Sequence, residues 1–181
     1  MAGSTGEPVG PFPAGVDADE YDRLRRRVLW TMPYGLYVIG SKAGDRRNLM
    51  TCNWVTQLSF EPKLVGIGVE RSAVTHELIR SGGAFSVCII AREDRAIVRK
   101  FVKPVVDSGD ALNDFPVIAQ ITGAPILTQS VAWLDCELRQ EVETGGHTLF
   151  IGEVVACGFG EGRDEETEVL RMEDTRMNYG G

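Results

Sequence analysis

Residues 48–62, NLMTCNWVTQLSFEP, divide by parity into an apolar side and an uncharged polar side. In a strand, successive side chains point to opposite faces, so the two sets would face apart. The even positions, nearly all apolar, are Met50, Cys52, Trp54, Thr56, Leu58 and Phe60. The odd positions, mostly polar, are Thr51, Asn53, Val55, Gln57, Ser59 and Glu61. A solvated strand face typically carries Lys and Glu, so this polar side calls for another explanation.

Two interpretations of the polar side remain open from the residues alone. It is either the wet face of a half-buried strand or one wall of a ligand pocket. The near absence of charge favours the pocket, because side-chain amides and hydroxyls recognise neutral, hydrogen-bonding ligands. A planar heterocycle with carbonyl and ring-nitrogen edges would suit them.

Length and charge exclude several classes of protein. The chain has 181 residues and a formal net charge of -7, with a pI of about 4.9. The length predicts one domain, residues 17–181, preceded by a flexible Gly- and Pro-rich arm, residues 1–16. The acidic balance disfavours a nucleic-acid binder. No apolar run approaches the roughly 18 residues of a membrane span, and the N-terminus lacks signal-peptide features, so we expect a cytoplasmic protein.

The cysteines and histidines argue against a metal site. The four cysteines are far apart, without a CxxC pair, and each has apolar neighbours. We therefore expect four buried, reduced thiols and no metal. The cysteines are Cys52, Cys88, Cys136 and Cys157.

Periodicity and turn residues predict about six strands and three short helices. The strands mostly follow one another through turns, which favours an antiparallel barrel over a doubly wound sheet. Residues 103–125 are expected to form a long loop with room for one helical turn. The predicted helices cover residues 17–30, 72–83 and 92–102. The predicted strands cover residues 34–41, 48–61, 63–70 and 84–90 and a hairpin on either side of residues 144–146.

Ser72 and Thr75 lie at the predicted start of the second helix, where backbone N–H groups favour an anion such as phosphate. Arg71 adds positive charge beside them. Simple capping of the helix by one of the two hydroxyls is the alternative. The combination of a polar strand and an anion-ready helix start is more suggestive than either feature alone.

His147 follows Gly145 and Gly146 at the start of a predicted strand. It is either a turn histidine on the surface or a group at the mouth of a pocket, where glycines permit close approach of a ligand. His76 is assigned a structural role. The sequence contains no Ser-His-Asp set, P-loop or GxGxxG motif.

Taken together, these blocks resemble the flavin reductase-like, FMN-binding split-barrel family, and within it the flavoredoxin branch. The markers are PYGLYVIGS, NLMTCNWVTQLSFEP, SAVTHELIRSGGAFSV, APIL, LDCEL and GGHTLFIGEV, in that order. The resemblance runs from about Tyr34 to Gly158 and extends to the terminal NYGG. It is the order and spacing of the blocks that are specific.

The resemblance implies a mainly β fold, a six-stranded antiparallel Greek-key split barrel with short peripheral helices, acting as a homodimer. It also implies bound FMN, or FAD, near the subunit boundary, with NAD(P)H as co-substrate. His147 would lie near the nicotinamide as the catalytic group. The implied flavin-binding residues are Asn48, Met50, Thr51, Cys52, Asn53, Trp54, Thr56, Gln57, Ser59, Arg71, Ser72 and Thr75. In relatives the segment breaks into a turn before SFEP, which places Trp54 on either the flavin side or the core side.

Two positions depart from the family pattern. Many members have Pro-Pro where this chain has Pro62-Lys63, and Lys63 would then add a phosphate contact or simply be exposed. The usual Gly-Asp-His is Gly145-Gly146-His147 here, which removes a carboxylate that could orient the imidazole.

Three functions follow as hypotheses. The first is an NAD(P)H:flavin reductase that passes electrons to free flavin, a partner monooxygenase or another electron-transfer protein. The second is an FMN-containing electron carrier without its own NAD(P)H step. The third is a non-catalytic binding module on the same barrel. The sequence does not name the electron acceptor, and it does not choose between NADH and NADPH.

Overall fold

Three antiparallel hairpins supply most of the larger sheet in the computed structural model, which describes residue 8, residues 10–175 and residue 177. The first hairpin turns at Gly44, whose φ of 57° favours glycine, and the third turns at Gly145, with φ of 85°. The strands of this sheet are β1 (Tyr37–Ala43), β2 (Arg46–Cys52), β3 (Val55–Phe60), β4 (Lys63–Glu70), β5 (Ala84–Ile89), β9 (Ala132–Glu143) and β10 (His147–Phe159).

The seven strands run in the order β2-β1-β5-β9-β10-β4-β3. Strands β2 and β3 occupy the two ends of this order, although only Asn53 and Trp54 separate them in the chain. The sheet must therefore curve strongly enough to bring its two edges together at these residues. The predicted mainly β, antiparallel class is confirmed. The larger sheet has seven strands rather than six, and no ladder closes it into a barrel within the described residues.

The break at Asn53 and Trp54 corrects the prediction of one continuous strand over residues 48–61. Beyond the break the parity no longer separates core from surface. Leu58 is 44% exposed and Phe60 is 81% exposed, so the apolar side identified by parity does not face the core at these two positions. The break lies before SFEP, as the relatives led us to expect, and β3 carries a further bulge between Gln57 and Ser59.

The region from 103 to 125 contains strands rather than only loop. A second sheet is formed by β6 (Ala111–Leu112), β7 (Phe115–Ala119) and β8 (Pro125–Leu127). These strands are short, and Pro116 and Pro125 lie within them, so they lack the alternating run by which a longer strand is recognised.

The two α-helices lie where they were predicted, but the predicted side-chain cap of α2 is not observed. Helix α1 (Ala18–Leu29) begins after Asp17, whose carboxylate accepts a 2.8 Å hydrogen bond from the Glu20 N–H. Helix α2 (Val74–Gly82) ends at Gly83 in the left-handed region, as predicted. Its N-cap is Ala73, without a side-chain bond, so the prediction of a Ser72 or Thr75 cap is wrong.

The predicted helix over residues 92–102 is two separate 3-10 turns, Arg92–Asp94 and Ile97–Phe101. A further 3-10 turn covers Met172–Asp174. Two clusters form the core, one inside the curved sheet around Ile67 and Phe85, the other around Phe101 and Ile126.

The predictions for the cysteines and for the two ends of the chain have different outcomes. Cys52, Cys88 and Cys136 are buried as expected, but Cys157 is exposed. Its neighbours are apolar in sequence, yet it lies on the outward side of β10. Residues 1–7 and 9 of the predicted arm, and the terminal residues 178–181, lie outside the described residues. The described part of the arm places the Phe12 ring 6.3 Å from that of Tyr21.

The described residues contain neither a membrane-spanning helix nor a metal-binding cluster. None of the described helices has the length and apolar character needed to cross a membrane. Among the same residues, no group of three or more His, Cys, Asp or Glu side chains could hold a metal ion.

Candidate functional site

A cleft of about 360 Å³ opens where the two core clusters meet. Its floor is the second half of β2 and Gly68 of β4, and helix α2 begins along one wall. The 3-10 turn that ends at Phe101 and the following Lys103 and Pro104 form the opposite wall. The volume lies within the range of about 300–1,000 Å³ that is typical of small-molecule and cofactor sites.

Hydrogen bonds of Asn48 connect the floor of the cleft to both walls. It is 4% exposed, and its Nδ2 donates a 2.9 Å hydrogen bond to Oγ1 of the fully buried Thr75 in α2. Its Oδ1 accepts a 3.2 Å bond from the Val105 N–H, just after the opposite wall. Both ends of the amide are therefore committed to the protein. Asn48 and Thr75 line the cleft and also fix its width.

Two further β2 residues face the cleft with their polar groups already engaged. Thr51 donates a 2.5 Å hydrogen bond from its hydroxyl to the Val98 carbonyl. The Cys52 thiol points toward the Gly68 carbonyl at 3.6 Å, and burial raises the pKa of Cys52 to about 11. The thiol is therefore protonated at neutral pH, and the lining carries no thiolate charge at this point.

The charged groups of the cleft lie at its end beside the first turn of α2. Ser72, Ala73 and Thr75 line it where the first helical N–H groups lack intrahelical acceptors. Lys103 lines the opposite wall and Glu70 lies on the same rim as Ser72. Because a helix N-terminus and an ammonium group both favour anions, this end of the cleft suits a phosphate.

Trp54 and His147 lie against each other beside the cleft. Their ring centroids are 4.5 Å apart with a 50° interplanar angle. Trp54 also packs on Gly68, where an added Cβ would lie 3.0 Å from the indole Cε3. The buried His147 Nε2 has no hydrogen-bond partner among the described residues, an arrangement that costs free energy unless a ligand satisfies it.

His76 occupies the inner side of α2. Its Nε2 and the Thr148 hydroxyl share a 2.8 Å hydrogen bond, and its ring lies 5.0 Å from that of Phe150. Burial, followed by the positive charge of Arg80, lowers the pKa of His76. These contacts support the structural role assigned to it.

The cleft gathers part of the predicted set of site residues. Thr56 and Gln57 are exposed on β3, beyond the break, and Arg71 is exposed with its N–H bonded to the Gly146 carbonyl at 3.0 Å. The predicted residues that line the cleft are Asn48, Met50, Thr51, Cys52, Asn53, Ser72 and Thr75. The predicted residues outside its lining are Trp54, Thr56, Gln57, Ser59, Arg71 and His147.

Much of the second wall was missed from the sequence. Lys103 and Pro104 fall in the region predicted as loop, and nothing local indicates that it folds back over β2. The same holds for the C-terminal methionines, which reach the cleft from more than a hundred residues away. The missed lining residues are Leu36, Gly68, Glu70, Ala73, Val74, Phe101, Val102, Lys103, Pro104, Met172 and Met177.

Comparison with known families identifies the fold. The model of the flavin reductase like domain matches residues 29–180. The chain belongs to this family. The predicted family is thereby confirmed, and the match takes in the cleft, the hairpin and the C-terminal methionines.

Two curated relatives illustrate the range of the family. The NADH-dependent FAD reductase of Streptomyces globisporus is 33% identical over 144 residues, covering 77% of this chain and 78% of the relative. The high molecular weight rubredoxin of Moorella thermoacetica is 33% identical over 133 residues, covering 71% of this chain. The match spans only 57% of that rubredoxin, so the relative extends well beyond the shared domain.

Solved structures of flavin reductases share the fold. The NADH:FAD oxidoreductase of Streptomyces globisporus C-1027 superposes with a TM-score of 0.74 at 27% identity, covering 96% of this chain and 95% of that one. A second structure of that oxidoreductase, in complex with NAD and FAD fragments, gives a TM-score of 0.69 at 31% identity, covering 82% and 88%. The styrene monooxygenase flavin reductase of Pseudomonas putida S12 gives 0.65 at 29% identity, covering 74% and 86%.

Proposed function

We propose that this chain is an NADH-using flavin reductase that binds the flavin in the cleft between β2, α2 and residues 101–104. The observation that carries the proposal is the cleft itself, a cofactor-sized space with a polar floor and an anion-ready helix start at one end. The predicted oxidoreductase class is confirmed by relatives named as NADH-dependent flavin reductases.

The lining fits a flavin mononucleotide. Ser72, the first turn of α2 and Lys103 would hold the phosphate. Asn53, which is 2% exposed, and the backbone at Thr51 and Cys52 would meet the hydrogen-bonding edge of the ring system. Met50 and the apolar side chains of the second wall would cover the faces of the ring. A bound flavin supplies the hydride-accepting ring, and the protein positions it and shields it from water.

His147 is proposed as the group that meets the nicotinamide or the reduced ring. Its support is the buried Nε2, which has no hydrogen-bond partner among the described residues, on a ring that packs against Trp54. With Gly146 in place of an acidic residue, no side chain at that position orients the imidazole.

FMN, rather than FAD, is the proposed flavin, and NADPH is the proposed alternative donor.

We also propose a cytoplasmic homodimer, consistent with the exposed apolar Leu58 and Phe60 on the edge strand β3. A monooxygenase is the proposed recipient of the reduced flavin, by analogy with the styrene monooxygenase flavin reductase. FAD remains compatible with the open rim of the cleft.

Anaerobic stopped-flow mixing tests the proposal. Protein loaded with FMN is mixed with NADH or with NADPH, and the flavin absorbance near its long-wavelength maximum is followed. Rapid bleaching with NADH is the expected result. Purified protein that is colourless and fails to quench the fluorescence of added FMN would contradict the proposal and favour a non-catalytic binding module.

The relationship to the high molecular weight rubredoxin supports a second candidate, an electron carrier without its own NAD(P)H step. In that case FMN would bind, but neither nicotinamide nucleotide would bleach it. Reduction of the bound flavin by a partner redox protein under the same conditions would identify the carrier.

A further inference from the structure

We propose that the thioethers of Met172 and Met177 are modification sites, converted to methionine sulfoxide by hydrogen peroxide that forms in the flavin cleft. The modification weakens flavin binding and so limits turnover in which no acceptor takes the electrons. This inference rests on the proposed reductase function and adds to it the regulation of the same cleft.

Methionine is concentrated around the cleft. It accounts for 3 of the 18 described residues that line the cleft, Met50, Met172 and Met177, against 5 of the 181 residues in the chain. Methionine often fills irregular gaps in a core because its side chain is flexible. Gap filling alone does not require such a concentration at one open space, so the sulfur atoms call for a chemical explanation.

Met172 and Met177 lie between two adjoining cavities. Both line the cleft and also a second cavity of about 430 Å³ between residues 30–35 and residues 171–177. A ligand in the cleft therefore leaves their other side open to a molecule as small as dioxygen or peroxide. Met50 lies on the floor of the cleft and is not among the described residues that line the second cavity, so a ligand on the floor would cover it.

Hydrogen bonds hold both methionines at this boundary. The Met172 N–H donates to the Tyr34 carbonyl at 2.9 Å, and the Met172 carbonyl accepts a 2.9 Å bond from the Thr175 hydroxyl. The same hydroxyl accepts a 3.1 Å bond from the Met177 N–H. Both methionine side chains pack against the apolar cluster around Phe101. A polar sulfoxide is unfavourable in such surroundings, so its formation disturbs the wall of the cleft.

The sulfur chemistry of the cleft favours methionine over cysteine as the target. Cys52 also lines the cleft, but the thiolate is its reactive form, and burial raises the pKa of Cys52 to about 11. The Cys52 thiol is therefore protonated at neutral pH and reacts slowly with peroxide. A thioether has no proton to lose, so neutral pH does not protect the methionines.

The reaction balances with dioxygen as the oxidant. Dioxygen takes two electrons and two protons from the reduced flavin and becomes hydrogen peroxide. The thioether sulfur then donates an electron pair to the peroxide. A sulfur–oxygen bond forms as the oxygen–oxygen bond breaks, and the second oxygen leaves as water. Reduced flavin that no acceptor consumes thereby produces the reagent that modifies the wall of its own site.

Peptide mass spectrometry of the wild type tests where the peroxide acts. FMN-loaded protein is supplied with NADH in air, and catalase destroys the peroxide that reaches the solvent. Trypsin places Met32, Met50, Met172 and Met177 in four different peptides. We expect several times more sulfoxide in the Met172 and Met177 peptides than in the Met32 peptide, although Met32 is 50% exposed. A level in either of these two peptides no higher than in the Met32 peptide would overturn the proposal.

Peroxide added from solution gives the matching control. In the absence of NADH and catalase, we expect the exposed Met32 to be oxidised at least as fast as Met172 and Met177. If added peroxide also preferred Met172 and Met177, intrinsic reactivity would explain the pattern, and formation of peroxide in the cleft would be refuted.

Photoreduction separates this inference from the reductase function. Bound FMN is reduced anaerobically with light and EDTA, and air and catalase are then admitted in the dark. We expect the same preference for Met172 and Met177. If this pattern appears but NADH bleaches no flavin, the modification sites stand and the reductase function fails. If NADH bleaches the flavin but neither treatment oxidises the two methionines, the reductase function stands and this inference fails.

FMN affinity measures the consequence of the modification. Fluorescence quenching is titrated before and after repeated photoreduction cycles for the wild type, the double variant Met172→Leu/Met177→Leu and the control Met32→Leu. Leucine has a similar volume but no sulfur to oxidise. We expect the cycles to weaken FMN binding about tenfold in the wild type and the control, and to leave the double variant at its own starting affinity.

Methionine sulfoxide reductase should restore the affinity of the wild type. An equal loss in the double variant, no loss in the wild type, or a loss that the reductase does not reverse would contradict the proposed effect on binding. Circular dichroism checks the folding of each variant, and the peptide measurement on the wild type does not depend on any variant.

Discussion

The end of β2 and all of β3 come from one uncharged stretch of sequence, residues 48–60, yet they have opposite surroundings. β2 ends among buried residues and forms the floor of the cleft, whereas Leu58 and Phe60 of β3 are exposed at the edge of the sheet. The walls that cover β2, α2 and residues 101–104, come from elsewhere in the chain. A polar strand face becomes a binding surface because other segments enclose it. Composition alone does not distinguish the two cases.

Leucine truncation gives the largest expected contrast between the strands. Leu49 in β2 is fully buried, and Leu58 in β3 is 44% exposed. We expect Leu49→Ala to lower the free energy of unfolding by about 2–5 kcal/mol, because it removes buried methyl groups and leaves a cavity. Leu58→Ala should cost less than about 1 kcal/mol. Urea unfolding followed by circular dichroism measures both, and equal losses would mean that β3 is buried in solution, for instance by a second subunit.

Removal of the Asn48 amide gives the next largest difference in stability between the two strands. Asn48→Ala leaves the Thr75 hydroxyl and the Val105 N–H without their partner, at a cost of about 1–3 kcal/mol in unfolding free energy. Gln57→Ala on β3 should change stability by no more than about 0.5 kcal/mol. Since Asn48 and Thr75 act through one bond, the double variant Asn48→Ala/Thr75→Val should cost less than the sum of the single changes. Additive costs would show that the two residues act independently.

Much of the fold was predictable because it is encoded locally. Strand β4, the β9–β10 hairpin and helix α1 follow from apolar runs, Gly145 and the Asp17 cap. The break between β2 and β3 was expected only from the family resemblance, because neither Asn53 nor Trp54 is a Gly or Pro that would indicate a turn. It arises from the curvature of the whole sheet.

The candidate site was predictable on one side only. Its floor and first wall, from Asn48 to Asn53 and from Ser72 to Thr75, lie in two blocks that the sequence indicates. The second wall depends on contacts of Phe101 and Met172 with residues far away in the chain, which no local pattern reports. The hydrogen bond from the Val105 N–H to the Asn48 amide also joins residues far apart in the chain, so no local pattern indicates it.

Titration of His76 sharpens the comparison, because helix α2 over the cleft carries a buried histidine and β3 carries no titratable residue. The pKa of His76 is lowered in the folded chain, so the unfolded chain binds the proton more readily. Its contribution to stability is therefore present above about pH 6.5 and is lost as the pH falls toward the folded pKa. The urea midpoint of the wild type should fall from pH 7.5 to pH 5.5 by more than that of His76→Gln. Parallel curves for the two proteins would exclude this role of His76.

Thiol labelling gives the smallest expected effect and tests whether the end of β2 is enclosed. Cys52 is buried with a pKa of about 11, whereas Cys157 on β10 is exposed. Of the four cysteines, we expect one to react rapidly with a dithiobenzoate reagent at pH 8. Cys157→Ser should abolish that fast phase. A fast phase that persists in the variant would mean that the cleft opens to solvent.

FMN affinity tests the central claim, that the flavin lies on β2 and not along β3. Fluorescence quenching of FMN is titrated for the wild type, Asn53→Leu and Thr75→Val, with Gln57→Leu as the matched control on β3. We predict that the two cleft variants weaken FMN binding by about tenfold or more, since each loses a buried hydrogen bond worth about 1–3 kcal/mol. Gln57→Leu should bind like the wild type. Unchanged affinity in both cleft variants, or a loss confined to Gln57→Leu, would contradict the proposed site.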